Sequence, residues 1–369
     1  MNKIPLSNAG TIVMGQSPPS STYNQEYIGL PFYQGKADFG TINPKPSTWC
    51  PEPLKIAEPG SVVISVRAPV GTVNIVNEAS GIGRGLASIN PNPGWDSRYI
   101  YYSLLSQKQF IESLGTGTTF KSINKSQFGQ ITLEDKSLEE QKKIVYILST
   151  IQNAVETQEK IIKTTTELKK ALMQKLFTEG LYSEKQKQTE IGLVPESWEV
   201  KEFDQFTTLK RGKDLTKKDF QNGMIPVAGS HGIIGYHNSS YVDAPGITVG
   251  RSGSCGEVVY YNIAFWAHNT ALFVSDFHRN NKKFAYYYLK HLNLGRFKTG
   301  ASVPTLDRNS FKRLPIAIPE LSEQKEIAQT LDSINKKIEI TTKKQVSLQS
   351  LFNSMLHQLM SGKIRVNTL

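Results

Sequence analysis

The side chains best placed to do chemistry in this sequence are two arginines beside glycine-bearing turns. Arg67 and Arg251 each follow an apolar run and precede a glycine, Gly71 and Gly256 respectively. A guanidinium group in such a loop suits a phosphate or the edge of a guanine, because it presents paired N–H donors and a permanent charge. A salt bridge within the loop explains the same pattern, so both interpretations stay open at this point.

Two other loops combine hydroxyl groups, glycine amides and nearby cations. The first contains Thr118 and Lys121, and the second contains Lys298 and Ser302, with Arg296 just upstream. Backbone amides, hydroxyls and cations together suit a phosphate. These five residues are therefore candidate DNA-binding residues, against the alternative of ordinary glycine turns with solvated charges.

The densest basic cluster includes Lys210, Arg211 and Lys213, and it is either a nucleic-acid-binding patch or a solvated face. The whole chain carries 43 Lys and Arg against 32 Asp and Glu, a formal net charge of +11. This excess makes nucleic acid the leading partner class, since phosphate backbones attract a basic surface.

Sequence motifs for catalysis are missing. The 369 residues contain no G-x-x-x-x-G-K-[ST], H-E-x-x-H, C-x-x-C or G-x-S-x-G pattern. His231 and His237 flank a glycine turn, where a metal pair is one interpretation and ordinary loop histidines are the simpler one. Cys255 has the chemistry of a nucleophile, but Val70 is its counterpart in the repeat described next, which favours a packing role. A Ser-His-Asp triad stays open, because its spatial arrangement is free of sequence spacing, but what remains of the sequence resembles a binding protein.

An internal repeat sets the architecture that must position these residues. Leu138–Ile144 (Leu-Glu-Glu-Gln-Lys-Lys-Ile) returns 183 residues later as Leu321–Ile327 (Leu-Ser-Glu-Gln-Lys-Glu-Ile). Upstream the alignment drifts by a few residues, and it pairs Arg67 with Arg251. The repeat covers about half of the chain, so we expect two similar halves and not a solenoid of short units.

Each repeated segment continues as a long amphipathic helix. Apolar residues recur with a period near 3.5, which is typical of a coiled coil. Each helix would extend about 60 Å over about 40 residues. The seam residues that we expect to pair the helices or bind a partner are Ile144, Leu148, Ile151, Val155, Leu172, Leu176, Ile327, Leu331, Ile334, Ile338, Phe352, Met355 and Leu359.

Polar residues interrupt this seam. Gln158 and Thr341 occupy equivalent positions, and Thr165, Lys169 and Gln345 add others. If these side chains are buried, they weaken the seam but fix its register and partner. If they are exposed, they have no such role, and the sequence leaves both possibilities open.

A strand-rich segment precedes each helix. The apolar runs Ser61–Val66 and Ile247–Val249 predict strands, and Ser97–Leu114 and Asn281–His291 predict short helices. Ser183–Thr189 is a polar stretch that we expect to link the two halves.

The predicted organisation is α+β. Residues 1–135 and 188–318 form two strand-rich domains, and residues 136–182 and 319–365 form the two long helices. The first domain carries 10 basic and 9 acidic side chains, whereas the second carries 16 and 11. If both domains bind nucleic acid, the first must rely on the local placement of its cations and not on net charge.

Three stretches resemble the specificity subunit of type I restriction–modification systems. They are Gly60–Asn74, Ile191–Val200, and the repeated Leu-x-Glu-Gln-Lys helix start together with Leu359–Arg365. The resemblance covers nearly the whole length. One departure is that the first half has no match to Pro195–Trp198, which shortens its beginning without removing the recognition core.

The resemblance implies two target-recognition domains in tandem, each followed by a long helix. The two helices would pair as an antiparallel coiled coil with pseudo-two-fold symmetry. Such a subunit reads a bipartite site in double-stranded DNA and recruits two modification subunits, which use S-adenosylmethionine to methylate adenine. Restriction subunits that use ATP and Mg²⁺ would add translocation and cleavage. The resemblance transfers no base-contacting residue, and it implies no catalytic residue, cofactor or metal in this chain itself.

Two other interpretations of the sequence remain. The chain is alternatively a coiled-coil adaptor without sequence-specific DNA binding, for which the nearly neutral first domain is the best support; a hydrolase comes third, because no catalytic constellation appears. Two well-separated cysteines, no apolar run of 18 residues and no apolar leader at the start predict a cytoplasmic protein without a membrane partner.

Overall fold

The computed structural model contains two compact units. It describes residues 2–115, 122–220, 222–300, 302 and 304–366, with the backbone alone at position 217. The first unit comprises Met1–Glu159 with Lys343–Leu369, and the second comprises Lys160–Thr342. Each unit therefore contains one strand-rich domain and part of each long helix.

The first unit begins with a short strand and one helical turn. Its strands are β1 (Lys3–Pro5), β2 (Gly10–Met14), β3 (Leu30–Tyr33), β4 (Trp49–Cys50), β5 (Ile56–Ala57), β6 (Val62–Ser65), β7 (Val73–Ile75), β8 (Ser80–Ile82), β9 (Leu86–Pro91) and β10 (Thr132–Glu134). Its helices are α1 (Leu6–Ala9), α2 (Ser97–Ser106), α3 (Lys108–Leu114), α4 (Lys125–Gly129) and the start of the long helix α5 (Leu138–Thr178).

The second unit repeats this plan after an added hairpin. Its strands are β11 (Gln186–Thr189), β12 (Gly192–Pro195), β13 (Glu199–Glu202), β14 (Thr208–Arg211), β15 (Ile225–Gly229), β16 (Gly232–His237), β17 (Gly246–Gly250), β18 (Val258–Tyr261), β19 (Trp266–Ala267), β20 (Ala271–Asp276), β21 (Lys298–Thr299), β22 (Thr305–Leu306) and β23 (Pro315–Ile318). Its helices are α6 (Phe203–Phe206), α7 (Lys282–Leu292) and the start of the long helix α8 (Leu321–Met360).

The two domains share the same central sheet. The strand order is β2-β9-β6-β7 in the first and β14-β20-β17-β18 in the second, and all neighbours in both sheets are antiparallel. A second sheet in each domain contains one parallel pair, β3 with β8 and β15 with β19. The pairs β1–β10 and β13–β23 return the chain to the start of each long helix. The predicted α+β class with two tandem strand-rich domains is confirmed.

Local sequence explains where the short helices begin. Asp96 caps α2, because its carboxylate accepts hydrogen bonds from the backbone N–H groups of the first turn at 2.8 and 3.0 Å. Asn281 caps α7 in the same way, at 3.0 and 2.9 Å. The predicted helix Ser97–Leu114 is divided into α2 and α3 at Gln107, whose side-chain amide donates to the carbonyls of Ser103 and Thr132.

The predicted polar linker Ser183–Thr189 is wrong in its second part. Gln186–Thr189 forms β11, which pairs antiparallel with Gly192–Pro195. The side chains of this strand are polar and alternate between exposed and half-buried, while the hairpin pairs the backbone, so composition alone did not reveal the strand.

The start of each long helix packs against the end of the other within one unit. Ile144 and Leu148 of α5 share the core of the first unit with Phe352 and Leu359 of α8. In the second unit, the end of α5 and the start of α8 share a core, through Leu176 and Phe177 with Ile327, Ala328 and Leu331. The two helices therefore pack together antiparallel, as predicted.

Candidate nucleic-acid interface

Arg67 lies exposed just after β6, beside the segment that returns the chain toward α5. It forms a β-bridge with Ser122, which directly follows the loop containing Thr118 and Lys121. Those two candidates lie outside the described residues. The structure therefore brings Arg67 to the end of the predicted hydroxyl loop, because strand pairing joins two segments that are distant in sequence.

Arg251 lies half-buried just after β17 and is tied to the equivalent loop of the second domain. The backbone N–H of Leu306 donates to the carbonyl of Arg251 at 2.7 Å, and Ser252 forms a β-bridge with Thr305. The guanidinium Nη1 donates to the carbonyl of Asn269 at 3.4 Å. Arg251 is thus partly engaged by its own domain, whereas Arg67 faces solvent.

Arg67 and Arg251 are not equivalent residues, and the sequence alignment that paired them is wrong by one position. The N–H of Val66 donates to the carbonyl of Gly85, in the turn between β8 and β9, at 2.9 Å. In the same way, the N–H of Arg251 donates to the carbonyl of Thr270, in the turn between β19 and β20, at 2.8 Å. Arg251 therefore corresponds to Val66, and Arg67 corresponds to Ser252. Gapped alignment of short apolar runs does not fix register, but backbone hydrogen bonds do.

The turn between β8 and β9 presents an arginine that sequence analysis missed. Arg84 is exposed between two buried glycines, and its N–H donates to Ser17 Oγ at 3.1 Å. A Cβ at Gly83 would lie 2.9 Å from Ser17 Oγ, and one at Gly85 would lie 2.3 Å from the carbonyl oxygen of Gln34. The tight turn therefore fixes the backbone that carries Arg84. The Gly-Arg-Gly pattern was the available signal.

The basic cluster of the second domain lies where β14 ends. Lys210, Arg211 and Lys213 are all exposed. The N–H of Lys213 donates to Tyr241 Oη at 3.0 Å, and Lys213 Nζ lies 4.4 Å from the centroid of the same ring. A Cβ at Gly212 would meet a backbone carbonyl oxygen at 2.1 Å. The backbone is thus closely packed while the cations remain accessible.

The segment His268–Thr270 connects this cluster to Arg251. His268 forms a β-bridge with Lys213, and its Nδ1 lies 2.9 Å from the hydroxyl of Thr270. The side-chain amide of Asn269 donates to Asp214, while its carbonyl accepts from Arg251. His268, Asn269 and Thr270 match no sequence motif. They are recognised as part of the candidate interface only because their turn is equivalent to the turn that carries Arg84 in the first domain.

Cys255 is held as a hydrogen-bond donor among these cations. Its Sγ lies 3.1 Å from the carbonyl oxygens of both Arg251 and Pro304. Burial raises the pKa of the thiol above its ordinary value, although the charges of Lys298 and Arg251 act in the opposite direction. The thiol is therefore neutral at neutral pH, which fits the packing role inferred from Val70.

The remaining candidates of the second domain occupy different surroundings. Lys298 is exposed on β21, and Ser302 is exposed in the loop that follows. Arg296 is exposed with its guanidinium carbon 4.9 Å from the ring centroid of Phe297. Burial, and secondly the charge of Arg296, lower the pKa of His291. Arg296 therefore lies beside aromatic side chains of the second domain.

The seam candidates are all buried or half-buried. The fully buried ones are Ile144, Leu148, Val155, Leu176, Ile327, Leu331, Phe352 and Leu359, and the half-buried ones are Ile151, Leu172, Ile334, Ile338 and Met355. Of the polar seam residues, Thr341 is buried and its hydroxyl donates to the Lys337 carbonyl at 2.7 Å, whereas Gln158 is half-buried. Of the two possibilities that the sequence left open, buried or exposed, the structure shows burial at Thr341.

The arrangement suits binding of an anionic polymer. It offers exposed guanidinium and ammonium groups on rigid turns, together with hydroxyl groups and loop amides. Within the part of the chain that the structure describes, no group of three or more His, Cys, Asp or Glu side chains could hold a metal ion. Among the same residues, no helix is both long and apolar enough to cross a membrane.

Comparison with known proteins identifies the family to which this architecture belongs. The model of the family described as "Type I restriction modification DNA specificity domain" matches twice, over residues 8–167 and 195–350. The chain belongs to this family. The two matched ranges each contain one strand-rich domain and most of the long helix that follows it, so the repeat in the sequence is a repeat of the family domain.

Individual proteins that the chain resembles are also named as specificity subunits or S subunits. A putative type I restriction enzyme MjaX specificity subunit of Methanocaldococcus jannaschii is 45% identical over 168 residues, which is 45% of this chain and 40% of that protein. The MjaVIII specificity subunit of the same organism is 29% identical over 304 residues, covering 74% of this chain and 72% of the relative. The crystal structure of the type I restriction–modification S subunit from M. genitalium matches with a TM-score of 0.68 at 18% identity, covering 97% and 96% of the two chains, and supports the fold.

Proposed function

We propose that this chain is the subunit that reads the DNA target of a type I restriction–modification complex. Each strand-rich domain binds one half of a bipartite site in double-stranded DNA. Lysines and arginines anchor each domain on phosphates, and loop side chains read base edges in the major groove. The specificity-subunit names of the relatives support this assignment.

The observation that carries the proposal is the repeated end of the central sheet with its cations, of which Arg67, Arg84 and Lys213 are exposed and Arg251 is half-buried. In each domain the central sheet ends at a turn that pairs with the loop leading to the next long helix. The first domain presents Arg67 and Arg84 there, and the second presents Lys213 and Arg251. Two similar binding domains, each followed by a helix that would extend about 60 Å, suit two half-sites with unread base pairs between them.

The long helices α5 and α8 bind two modification subunits in this proposal. Those subunits supply S-adenosylmethionine and the catalytic groups that methylate adenine, after the base is extruded from the duplex. Restriction subunits supply ATP-driven translocation and Mg²⁺-dependent cleavage. This chain contributes no catalytic residue and no cofactor, and it acts in the cytoplasm, where the DNA and the partners are.

The decisive experiment is a genome-wide map of methylated adenine in the source cell, with and without this gene. Loss of one split motif, with all other motifs intact, is the expected result and gives the motif directly. An unchanged map contradicts the proposal, provided that the modification subunit is present in both strains.

One observation favours a second function, a coiled-coil adaptor that binds proteins without reading DNA. The first domain has only one net positive charge, from 10 basic and 9 acidic side chains in residues 1–135. Competition with unrelated duplex DNA at moderate salt separates the two functions. Purely electrostatic binding is lost as salt rises and is indifferent to sequence, whereas a specific site retains affinity.

A further inference from the structure

In the part of the chain that the structure describes, the outer edge of the central sheet is covered by a loop in the first domain but not in the second. β7 and β18 are the equivalent edge strands. Val76, which directly follows β7, donates its N–H to the carbonyl of Ser61 at 3.0 Å, so the backbone N–H and carbonyl of its neighbour Ile75 point away from β6. The same alternation in β18 turns the N–H and carbonyl of Tyr260 outward, because antiparallel strands expose every second residue.

In the first domain a loop covers this edge. The N–H of Ile75 donates to the carbonyl of Ile42 at 2.8 Å, and the carbonyl of Ile75 accepts from Asn43 Nδ2 at 2.7 Å. The N–H of Gly40 donates to Asn74 Oδ1 at 3.0 Å. A bent loop of the chain thus covers the sheet edge and satisfies the outward backbone groups of Ile75.

The second domain has no such loop. β3 and β4 are joined by residues 34–48, whereas the corresponding strands β15 and β16 are joined by Ser230 and His231 alone. Among the described residues, none donates to or accepts from the outward backbone groups of Tyr260. The edge that the first domain closes with its own chain is therefore open in the second.

The open edge forms one wall of a groove of about 550 Å³ between β18, α7 and the first half of α8. Tyr286 lines it, at the position where Tyr101 of the first domain donates to the loop carbonyl of Thr41 at 3.4 Å. Tyr101 is buried beneath that loop, while Tyr286 is half-exposed. A hydroxyl and a strand edge that the first domain uses to hold its own loop are thus present and accessible in the second.

The charges of the groove favour a peptide over a nucleic acid. The charged side chains that line it are Lys283, Lys290, Lys336, Glu257, Asp332 and Glu339. Three positive and three negative groups give no net attraction for a phosphate backbone. Val259 occupies the position equivalent to Asn74, whose side chain hydrogen-bonds the loop in the first domain. Because Val259 is apolar, the edge of β18 suits a segment with an apolar side chain at that point.

We propose that the outer edge of β18 binds an extended, nearly neutral segment of a partner protein by strand addition. The segment pairs its backbone with Tyr260 and accepts a hydrogen bond from the hydroxyl of Tyr286. This inference rests on the proposed function, because the partner is the modification subunit that binds the adjoining stretch of α8. The groove continues onto that helix through Asp332, Asn335 and Lys336.

The test uses the full chain, alone and assembled with the modification subunit of its source cell, and measures amide hydrogen exchange in β18. The Tyr260 amide exchanges rapidly in the free chain and slows at least about tenfold in the complex, as expected for one added backbone hydrogen bond. The Ile75 amide is an internal control, because its own loop protects it in both states.

Two variants separate backbone pairing from side-chain packing. Tyr260→Pro removes the outward N–H at an edge position that tolerates proline, and it weakens assembly about tenfold. Tyr260→Val keeps that N–H and weakens assembly less than about threefold. Equal losses from both variants would overturn the strand-addition site.

The remaining outcomes distinguish the site from the function. A complex that assembles and leaves the Tyr260 amide unprotected overturns the β18 site and keeps the proposed function. Protection of Tyr260 by duplex DNA alone also overturns it, because the occupant is then a nucleic acid. Failure of the wild-type chain to assemble with the modification subunit overturns the proposed recruitment together with this inference.

Discussion

Gln324, near the start of α8, accepts a hydrogen bond from the backbone N–H of Asn281 at 2.9 Å and thereby fixes the long helix to the cap of α7. Gln141 does the same in the first unit, where its Oε1 accepts from the N–H of Asp96 at 2.8 Å. Both glutamines are buried, and both side-chain amides also donate to backbone carbonyls. The glutamine of the repeated Leu-x-Glu-Gln-Lys pattern therefore connects each domain to its long helix, and we call this contact the joint.

Replacing Gln324 with alanine should destabilise the second unit by about 1–3 kcal/mol, because buried backbone groups lose their partners. Urea unfolding gives the free energy, and hydrogen exchange shows whether the loss is confined to residues 160–342. Gln174→Ala, at an exposed position of α5, is the matched control and should change little. Equal destabilisation by both changes would show that the joint has no special role.

Removing single arginines should affect one half-site each. Arg67→Ala or Arg84→Ala weakens binding to the half-site read by the first domain, and Arg251→Ala weakens the other. Loss of a phosphate or base contact costs about 1–3 kcal/mol. Binding is measured on DNA carrying one intact and one scrambled half-site, with Lys185→Ala as an exposed control. An equal loss at both half-sites from any one variant contradicts the two-domain assignment.

Lys169 of α5 occupies the seam position of Phe352, and its replacement by methionine should stabilise the second unit by about 1 kcal/mol. Lys169 Nζ lies 5.8 Å from the ring centroid of Tyr287, whereas Phe352 packs against Tyr102 with centroids 6.1 Å apart. Burial, and secondly the charge of Lys290, lower the pKa of Lys169 below its ordinary value of 10.5.

The pH dependence gives a second measurement of the same effect. Because folding favours the neutral amine, the unfolded chain binds more protons, and the free energy of unfolding rises as pH passes from the lowered pKa toward 10.5. Urea unfolding between pH 7 and about pH 10.5 should show this rise in the wild type and a flatter profile in Lys169→Met. Parallel profiles would show that Lys169 is not desolvated.

Cys255 should react slowly with iodoacetamide at neutral pH, because its pKa is raised and its single S–H proton lies within reach of two carbonyl oxygens. The midpoint of the alkylation rate against pH should lie above the ordinary thiol pKa of 9.0. Cys255→Val, which copies Val70 of the first domain, should preserve DNA binding within about twofold, since one neutral packing residue replaces another. Loss of binding in this variant, with folding intact, would indicate a direct role for the thiol.

Lengthening the helices should lengthen the unread spacer of the target. One heptad added to α5 after Glu159, with one added to α8 after Thr342, extends each helix by about 10 Å, or about three base pairs of duplex. Mapping of methylated adenine reports the spacer of the variant. A heptad added to α5 alone breaks the pairing with α8 and should abolish assembly. An unchanged motif in the double insertion would sink the spacer hypothesis.

The long helices and the tandem plan were predictable because their signals are local and repeated. A heptad period over about 40 residues and a motif that returns 183 residues later do not depend on long-range pairing. The strands β6 and β17 were also found, since runs such as Val62–Ser65 are buried on both faces and therefore continuously apolar. The hairpin strand β11 was missed because its side chains are polar and only its backbone is paired.

The sequence by itself determined that this chain has two similar strand-rich domains and two long helices, and that its excess charge is positive. Only the tertiary structure decided which residues are equivalent and which edges are open. The pairing of Arg251 with Val66, the exposure of Arg84 and the covering of Ile75 by Ile42 all depend on strand register and on loops that meet across the fold. Register is fixed by backbone hydrogen bonds between distant segments, and composition and periodicity contain no direct record of those bonds.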